Sequence, residues 1–277
     1  MEKKPNKVVT FLKAIGVIIL FLLAITLGQT VVIVIKELEF IKETQNIDFT
    51  TFFAKIYSEP GLLSNAQFVG EIVSLVIFGC WYASILRKEK KLGTYESPVK
   101  KLASLKNILF IIIASVTASF GVVVVYNILK LFIADQVAVM NESLGTVASQ
   151  NILGLISIML LAPIVEELAV RGVILKISKK SYKLIGCMVI SAICFSLFHM
   201  NVVQGIYTIP LGLMFGFLAY KFNSVIPSII GHLIHNCFGG YIVLLLKTPI
   251  IITVTVILFV VLLMVGKNLE VLKNEKK

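Results

Sequence analysis

Residues 160–172 read LLAPIVEELAVRG, and this stretch decides both the fold class and the candidate site. Glu166 and Glu167 are adjacent within an apolar run long enough to cross a membrane, and Arg171 follows Glu167 by one helical turn. An ionisable residue at bilayer depth costs at least about 2.5–3.5 kcal/mol. Because two neighbouring carboxylates are costly at that depth, we expect them to serve a function.

The rest of the sequence is typical of a polytopic membrane protein. The chain has 277 residues, 58% of them hydrophobic, and a mean hydropathy of +0.96, which argues against a soluble globular protein. A spanning helix needs about 20 apolar residues. We therefore predict an all-α integral membrane protein with about eight transmembrane helices, at residues 8–35, 68–86, 108–132, 152–175, 184–199, 203–220, 225–246 and 249–265. The first segment follows a basic start but is too long for a signal peptide, which predicts an uncleaved anchor.

The net charge of +11 is explained by topology, and no nucleic-acid partner is expected. If the N-terminus is inside, the cytoplasmic segments carry 19 of the 26 Lys and Arg residues and the outer segments carry four. By the positive-inside rule, this predicts a multi-pass protein of the cell membrane with both termini cytoplasmic. Contact of the basic segments with anionic lipid is a secondary expectation.

Four cysteines lie in predicted spans without any CxxC pair, which predicts buried free thiols and no disulfide framework. They are Cys80, Cys187, Cys194 and Cys237.

The connecting segments are interpreted from their polar and apolar patterns. An i, i+3, i+4, i+7, i+8 pattern predicts a short interfacial helix in the outer loop 36–67, although a lid is an alternative. Its apolar residues are Phe49, Phe52, Phe53, Ile56 and Tyr57. Residues 87–106 are expected to form a basic linker, and 134–150 a loop. Glu71 and Lys130 are placed near outer helix ends, where side chains can reach water.

Pro163 is expected to kink the fourth helix by releasing the carbonyl of Met159. A kink beside two carboxylates is consistent with a hydrated cavity, which we expect to open toward the cytoplasmic side. At about 1.5 Å per residue, Glu166 lies roughly 14 Å, His232 roughly 11 Å and His199 roughly 23 Å from the cytoplasmic helix ends. These unequal depths leave open how the three side chains meet.

All three histidines, His199, His232 and His235, lie in the last four predicted spans. His232 and Asn236 are four residues apart and share a helix face. Buried polar groups in lipid must face one another or water, so we expect the histidines near the glutamates. The sequence lacks a His-Glu-x-x-His zinc helix, a Gly-x-Ser-x-Gly elbow and a Gly-x-Gly-Asp segment. A glutamate-based site remains.

Three motifs, taken in this order, resemble those of the CPBP family. They are Glu166-Glu167-x-x-x-Arg171, Phe195-x-x-x-His199 and His232-x-x-x-Asn236. This family, often called Abi, includes type II CAAX prenyl proteases, bacteriocin-processing enzymes and lysostaphin-resistance-A-like proteins. The similarity covers about residues 152–246. It divides the chain into helices 1–3 with their loops (1–151), a catalytic core (152–246), and a last helix with a basic tail (247–277).

The resemblance implies a role for each motif residue. Glu166 would activate a water to attack the scissile carbonyl, and His199 would hold that water or a metal. His232 and Asn236 would stabilise the oxyanion, while Glu167 and Arg171 would pair and orient the site. If the protein is a metalloprotease, Glu166, His199 and His232 would be the zinc ligands; a metal-free mechanism is the other possibility. His235 is extra to the motif, and packing is preferred over an auxiliary ligand role.

We therefore predict an intramembrane endopeptidase of CAAX-protease type, with a site on the fourth, fifth and seventh helices. Its substrate would be a membrane-associated peptide or a membrane-protein segment within the lipid bilayer. The alternatives are a bacteriocin self-immunity or peptide-maturation protein, a carrier and a non-catalytic membrane scaffold. A polar plug, in which Glu167 and Arg171 only pin the helix, would leave Glu166 as an unpaired buried acid.

Overall fold

The computed structural model describes residues 5–44, 50–52, 54, 59–149, 151–267, 269 and 272, and it confirms the all-α fold class. The described helices, labelled here in chain order, are α1 Lys7–Thr44, α2 Leu62–Lys91, α3 Leu105–Phe132, α4 Ala134–Ser149, α5 Ile152–Ser178, α6 Leu184–Phe198, α7 Val202–Tyr207, α8 Ile209–Phe222, α9 Ile226–Leu245 and α10 Thr248–Lys267. A one-turn helix, Val99–Leu102, lies in the basic linker between α2 and α3.

Each of the eight predicted spans coincides with a helix or a helix pair, so the chain is a polytopic membrane protein. Within the described residues, α1, α2, α3, α5 and α10 are long and apolar enough to cross a bilayer. α6 and α8 are apolar but have only 15 and 14 residues. At about 1.5 Å per residue each is about 21–22 Å long, less than the roughly 30 Å hydrocarbon core. These two helices therefore leave a recess at one end of the bundle.

The basic connections meet at one end of the bundle, which we call the basic end. Lys176 at the end of α5 pairs with Glu89 of α2 at 2.8 Å. The Tyr182 hydroxyl, between α5 and α6, donates to the carbonyl of Lys7 at 2.9 Å, and Lys221 Nζ donates to the carbonyl of Leu272 at 3.0 Å. The N-terminal arm, the α2 terminus and the segments after α5 and α8 therefore lie on one side, as the charge pattern requires.

The opposite end, which we call the far end, is held by polar contacts between α2, α5 and neighbouring segments. Asn151 caps α5 by accepting from the Gly154 amide at 3.1 Å, and its Nδ2 donates to Asn65 Oδ1 at 2.9 Å. The prediction of a loop at 134–150 is wrong, because Ala134–Ser149 forms the helix α4. Its apolar side chains Val137 and Met140 pack on Val203 of α7, and this burial stabilises the helix.

Two predictions about side-chain exposure change in the structure. Cys187 and Cys194 are buried as expected, but Cys80 lies exposed on the exterior of the bundle and Cys237 is half-buried. In the predicted interfacial helix, Phe49, Phe53, Ile56 and Tyr57 lie outside the described residues, whereas Phe52 packs on Phe40 with 5.9 Å between ring centroids.

Close backbone contacts bring the helices around the site together. A Cβ on Gly28 of α1 would lie 2.6 Å from the Cα of Gly70 in α2, and a Cβ on Gly212 of α8 would lie 2.8 Å from the Cα of Ala192 in α6. Small residues allow such approaches, which carry much of the packing between helices in a membrane. The two contacts place α1 against α2, and α6 against α8, around the recess.

Candidate active site

Two wide π-helical turns, Ser157–Leu161 and Leu168–Ile174, flank the short α-helical segment of α5 that contains Pro163. The Ala162 amide bonds to the Ser157 carbonyl, five residues back. In this register, the carbonyl five residues before Pro163 is that of Ile158, one residue before the predicted Met159. Asn236 Nδ2 of α9 donates to the Ile158 carbonyl at 2.7 Å. This hydrogen bond positions a motif residue.

Glu167 and Arg171 pair as their spacing predicts, and both side chains are completely buried. Arg171 Nη1 donates to Glu167 Oε1 at 2.7 Å, and Nη2 donates to the Gly212 carbonyl at 3.0 Å. His232 Nδ1 lies 3.0 Å from the same Glu167 oxygen. Because a carboxylate accepts, His232 donates from Nδ1. Glu167 thus joins α5 to α9, and Arg171 joins α5 to α8.

Two phenylalanines enclose these polar groups. The Arg171 guanidinium lies 4.6 Å from the Phe195 ring centroid and 5.6 Å from that of Phe215. The His232 ring centroid is 5.5 Å from both. Such cation–π contacts are worth about 2 kcal/mol or more when desolvated. Phe195 belongs to the second motif, whereas Phe215 lies in none of the three motifs and was not predicted as a site residue.

Glu166, although adjacent to Glu167, lies in a different environment. Its side chain is 15% exposed, whereas that of Glu167 is fully buried. Glu166 Oε2 lies 3.7 Å from His232 Nε2, which is beyond direct hydrogen-bond distance. Of the two carboxylates, only Glu166 lines the cavity described below. The structure therefore separates an accessible glutamate from one that is held in a buried network.

The other two histidines are each oriented by a hydrogen bond at Nδ1. His199 Nδ1 lies 2.7 Å from the Phe195 carbonyl, which can only accept, so Nδ1 carries the proton. His235 Nδ1 lies 3.1 Å from Ser119 Oγ, whose own proton is donated to the Ser115 carbonyl. In the neutral rings, Nε2 is therefore the acceptor. Both rings line the cavity.

A cavity of about 500 Å³ brings the motif residues together. Glu166, His199, His232 and Asn236 all line it, as does His235. The remaining lining residues are Phe21, Leu22, Ile25, Thr26, Gln29, Gln67, Glu71, Leu144, Ile158, Ala162, Phe195, Phe198, Met200, Gln204, Tyr207, Thr208 and Leu211. The predicted site on the fourth, fifth and seventh helices is thus incomplete, because α1 and α2 supply one wall.

Glu71 is a cavity carboxylate that was not predicted as a site residue. It was expected to reach water at a helix end, but it is only 1% exposed and lines the cavity with Glu166. Its Oε1 accepts from Gln67 Nε2 at 2.8 Å, and Gln67 Oε1 accepts from Gln29 at the same distance. Its other oxygen, Oε2, is buried without a hydrogen-bond partner. The sequence signal for Glu71 was a carboxylate inside another apolar helix, in addition to Glu166 and Glu167.

The cavity lies toward the far end of the bundle, contrary to the expected opening at the basic end. Gln67 and Glu71 lie in the first three turns of α2, whose basic residues are at its other end. Met200 and Gln204 belong to the connection that follows α6. Because α6 has only 15 residues, its last turn ends beside the cavity, and His199 directly after it lines that cavity.

The residues predicted as zinc ligands are Glu166, His199 and His232. Among the described His, Cys, Asp and Glu residues, no group of three is placed to hold a metal ion. His232 Nδ1 is engaged by Glu167, and its Nε2 faces Glu166. Glu166, His199 and His232 share the cavity without forming a ligand set, so the arrangement does not fit a resident zinc ion.

Comparison of the sequence with known protein families gives one match. Residues 148–238 match the family model described as type II CAAX prenyl endopeptidase Rce1-like. No curated protein and no solved structure matches the chain. The matched segment runs from the end of α4 into α9 and contains every residue of the three motifs. The resemblance inferred from those motifs is thereby confirmed at the family level: the segment that supplies the candidate site matches the model of the Rce1-like type II CAAX prenyl endopeptidase family.

Proposed function

We propose that this chain is an intramembrane endopeptidase in which Glu166 is the general base. The observation that carries the proposal is the different environment of the two adjacent glutamates. Glu167 is fixed by Arg171 and His232, whereas Glu166 faces a cavity large enough for a substrate segment. A general base must reach a water molecule, and Glu166 is the one of the two that can do so.

The proposed reaction uses the oriented groups around Glu166. Glu166 takes a proton from a water whose oxygen attacks the scissile carbonyl, and His199 Nε2 accepts a second hydrogen bond from that water. The oxyanion accepts a hydrogen bond from the second amide N–H of Asn236. It accepts another from His232 Nε2–H, which is present when both ring nitrogens are protonated. Glu166 then returns its proton to the leaving amine as the C–N bond breaks. Donors of this kind commonly contribute about 2.7–4 kcal/mol.

Arg171 and Glu167 would position the site without touching substrate. They fix His232 from the side opposite the cavity, and Asn236 is fixed by the Ile158 carbonyl. We propose a metal-free mechanism, because among the described residues no three side chains form a ligand set. We expect proteolysis in detergent to survive a zinc chelator such as 1,10-phenanthroline. Loss of cleavage that added zinc restores would contradict this mechanism.

We also propose that the basic end faces the cytoplasm of a cell, so that both termini are cytoplasmic. The contacts between basic connections support a single basic face, and such a face is retained inside during insertion.

The test compares the Glu166→Gln and His199→Ala variants with wild type in a strain that lacks the native gene. Glu39→Gln, an exposed glutamate at the far end of α1, is the matched control. Once normal insertion is verified, the membrane proteome and peptidome are measured. We expect the same cleaved product to disappear in both variants and to persist in the control. If both variants behave like wild type while the deletion has a phenotype, the protein is a scaffold.

A further inference from the structure

We propose that the catalytic cavity is entered from the extracytoplasmic side. Its substrate is then a peptide segment at the outer face or in the outer leaflet of the membrane, and a protein tail on the cytoplasmic face is excluded. The identity of the cavity as a protease site rests on the proposed function. The side from which the cavity opens does not depend on that function.

The mouth of the cavity is identified by the exposure of its lining residues. Most of the lining is buried or half-buried, and three of its residues are exposed: Thr26, Leu144 and Met200. Thr26 lies 19 residues beyond the basic start of α1, about 28 Å along the helix. Leu144 belongs to α4 and Met200 to the α6–α7 connection, both at the far end. All three therefore place the mouth away from the basic end.

The basic end is closed beneath the site. Arg171, Phe215 and Phe222 are at most 1% exposed and fill the space between α5 and α8. Below them, Lys176 is held by Glu89, and Lys179 Nζ donates to Asn223 Oδ1 at 3.0 Å. Within the part of the chain that the structure describes, no residue of a basic connection lines the cavity. A substrate arriving at the basic end would meet packed side chains and ion pairs.

Charge assigns the two ends to the two sides of the membrane. The segments that the charge pattern assigns to the basic side hold 19 of the 26 Lys and Arg residues of the sequence. The far-end segments hold few Lys and Arg, and their acidic residues include Glu37, Glu39, Glu59, Asp135 and Glu142. Such an asymmetry retains the basic end in the cytoplasm. The mouth, at the other end, then faces outward.

The lining of the outer part of the cavity indicates what it would take. Gln29, Gln67 and Glu71 form a hydrogen-bonded row from the far end down to the level of Glu166. Amide and carboxylate groups of this kind can accept and donate to an extended peptide backbone, which needs partners where water is scarce. Leu144 and Met200 at the mouth are apolar, which suits a segment that enters from the lipid. The combination fits an extended, membrane-embedded peptide better than a free polar metabolite.

Cysteine accessibility tests this orientation without requiring catalysis. The background carries Cys80→Ser and Cys237→Ser, because Cys80 is exposed and Cys237 half-buried; the buried Cys187 and Cys194 remain. Met200→Cys reports on the mouth, and Ser97→Cys in the α2–α3 linker is the matched control at the basic end. Intact cells are treated with a membrane-impermeant maleimide before and after permeabilisation.

We expect Met200→Cys to react fully in intact cells, and Ser97→Cys to gain at least tenfold in labelling on permeabilisation. Labelling of Met200→Cys only after permeabilisation, or not at all, would overturn the proposal. The experiment is repeated with Glu166→Gln in the same background, where the same labelling is expected. Failure of the protease assay would therefore leave the labelling result intact. A cytoplasmic mouth on an active protease would reject only the orientation.

Discussion

Removing the Arg171 charge should expose how much of the site's stability depends on the buried pair. In Arg171→Met, Glu167 keeps His232 as a partner but loses the 2.7 Å hydrogen bond to the guanidinium. The Gly212 carbonyl also loses its 3.0 Å donor. Breaking a buried pair by deleting one partner costs about 3–5 kcal/mol. Since about 1.4 kcal/mol corresponds to a tenfold change in an equilibrium constant, the folding equilibrium constant should fall by roughly two to three and a half orders of magnitude.

The assay is reversible unfolding of the purified protein in mixed micelles, followed by helical circular dichroism as the SDS fraction rises. A double-mutant cycle adds Glu167→Gln and the Arg171→Met/Glu167→Gln combination. Since the two residues contact each other, the double variant should lose less than the sum of the single losses. The matched control is Lys36→Met, which removes an ion pair whose side chains are 36% and 54% exposed.

The reasoning is refuted if Arg171→Met loses no more stability than the Lys36→Met control. An additive cycle would also refute it, because independent contributions would mean that Glu167 and Arg171 do not form one network. Exposed pairs are screened by water, so the control should lose far less than the buried pair.

Three further changes test neighbouring parts of the structure. Asn236→Leu should cost about 1–3 kcal/mol in the free energy of unfolding, because it leaves the Ile158 carbonyl buried without a donor. Glu71→Gln should raise the free energy of unfolding, since the amide keeps the shape while removing an ionisable group from the bilayer depth. Burial, with Lys176 adding to it, lowers the pKa of Lys179 beyond the end of α5 to about 8 from 10.5. The unfolded state then binds more protons between these values, so stability should rise from pH 8 to 10.5, and less steeply in Lys179→Met.

The same unfolding assay decides each of these outcomes. An unchanged Asn236→Leu variant would mean that water satisfies the Ile158 carbonyl. A loss above about 1 kcal/mol in Glu71→Gln would mean that the Glu71 carboxylate makes contacts an amide cannot replace. Identical pH slopes in wild type and Lys179→Met would remove Lys179 from the pH response.

Much of the fold followed from local sequence patterns. Apolar runs of bilayer length placed the helices, because an unpaired backbone group in lipid is too costly for other structures. The i, i+4 spacing of Glu167 and Arg171 fixed their pairing, since it holds in any helix. The motifs at Glu166, His199 and His232 identified some of the residues that line the cavity.

Other features depended on contacts between distant segments. Only the packing of α1 and α2 against α5 brought Glu71 into the cavity, because nothing local distinguishes it from a glutamate that reaches water. The position of His199 beside the cavity followed from the length of α6, which no hydropathy window resolves. The sequence by itself determined which groups must be buried and paired. The tertiary structure decided which glutamate faces the cavity and at which end that cavity lies, because both depend on how neighbouring helices close around α5.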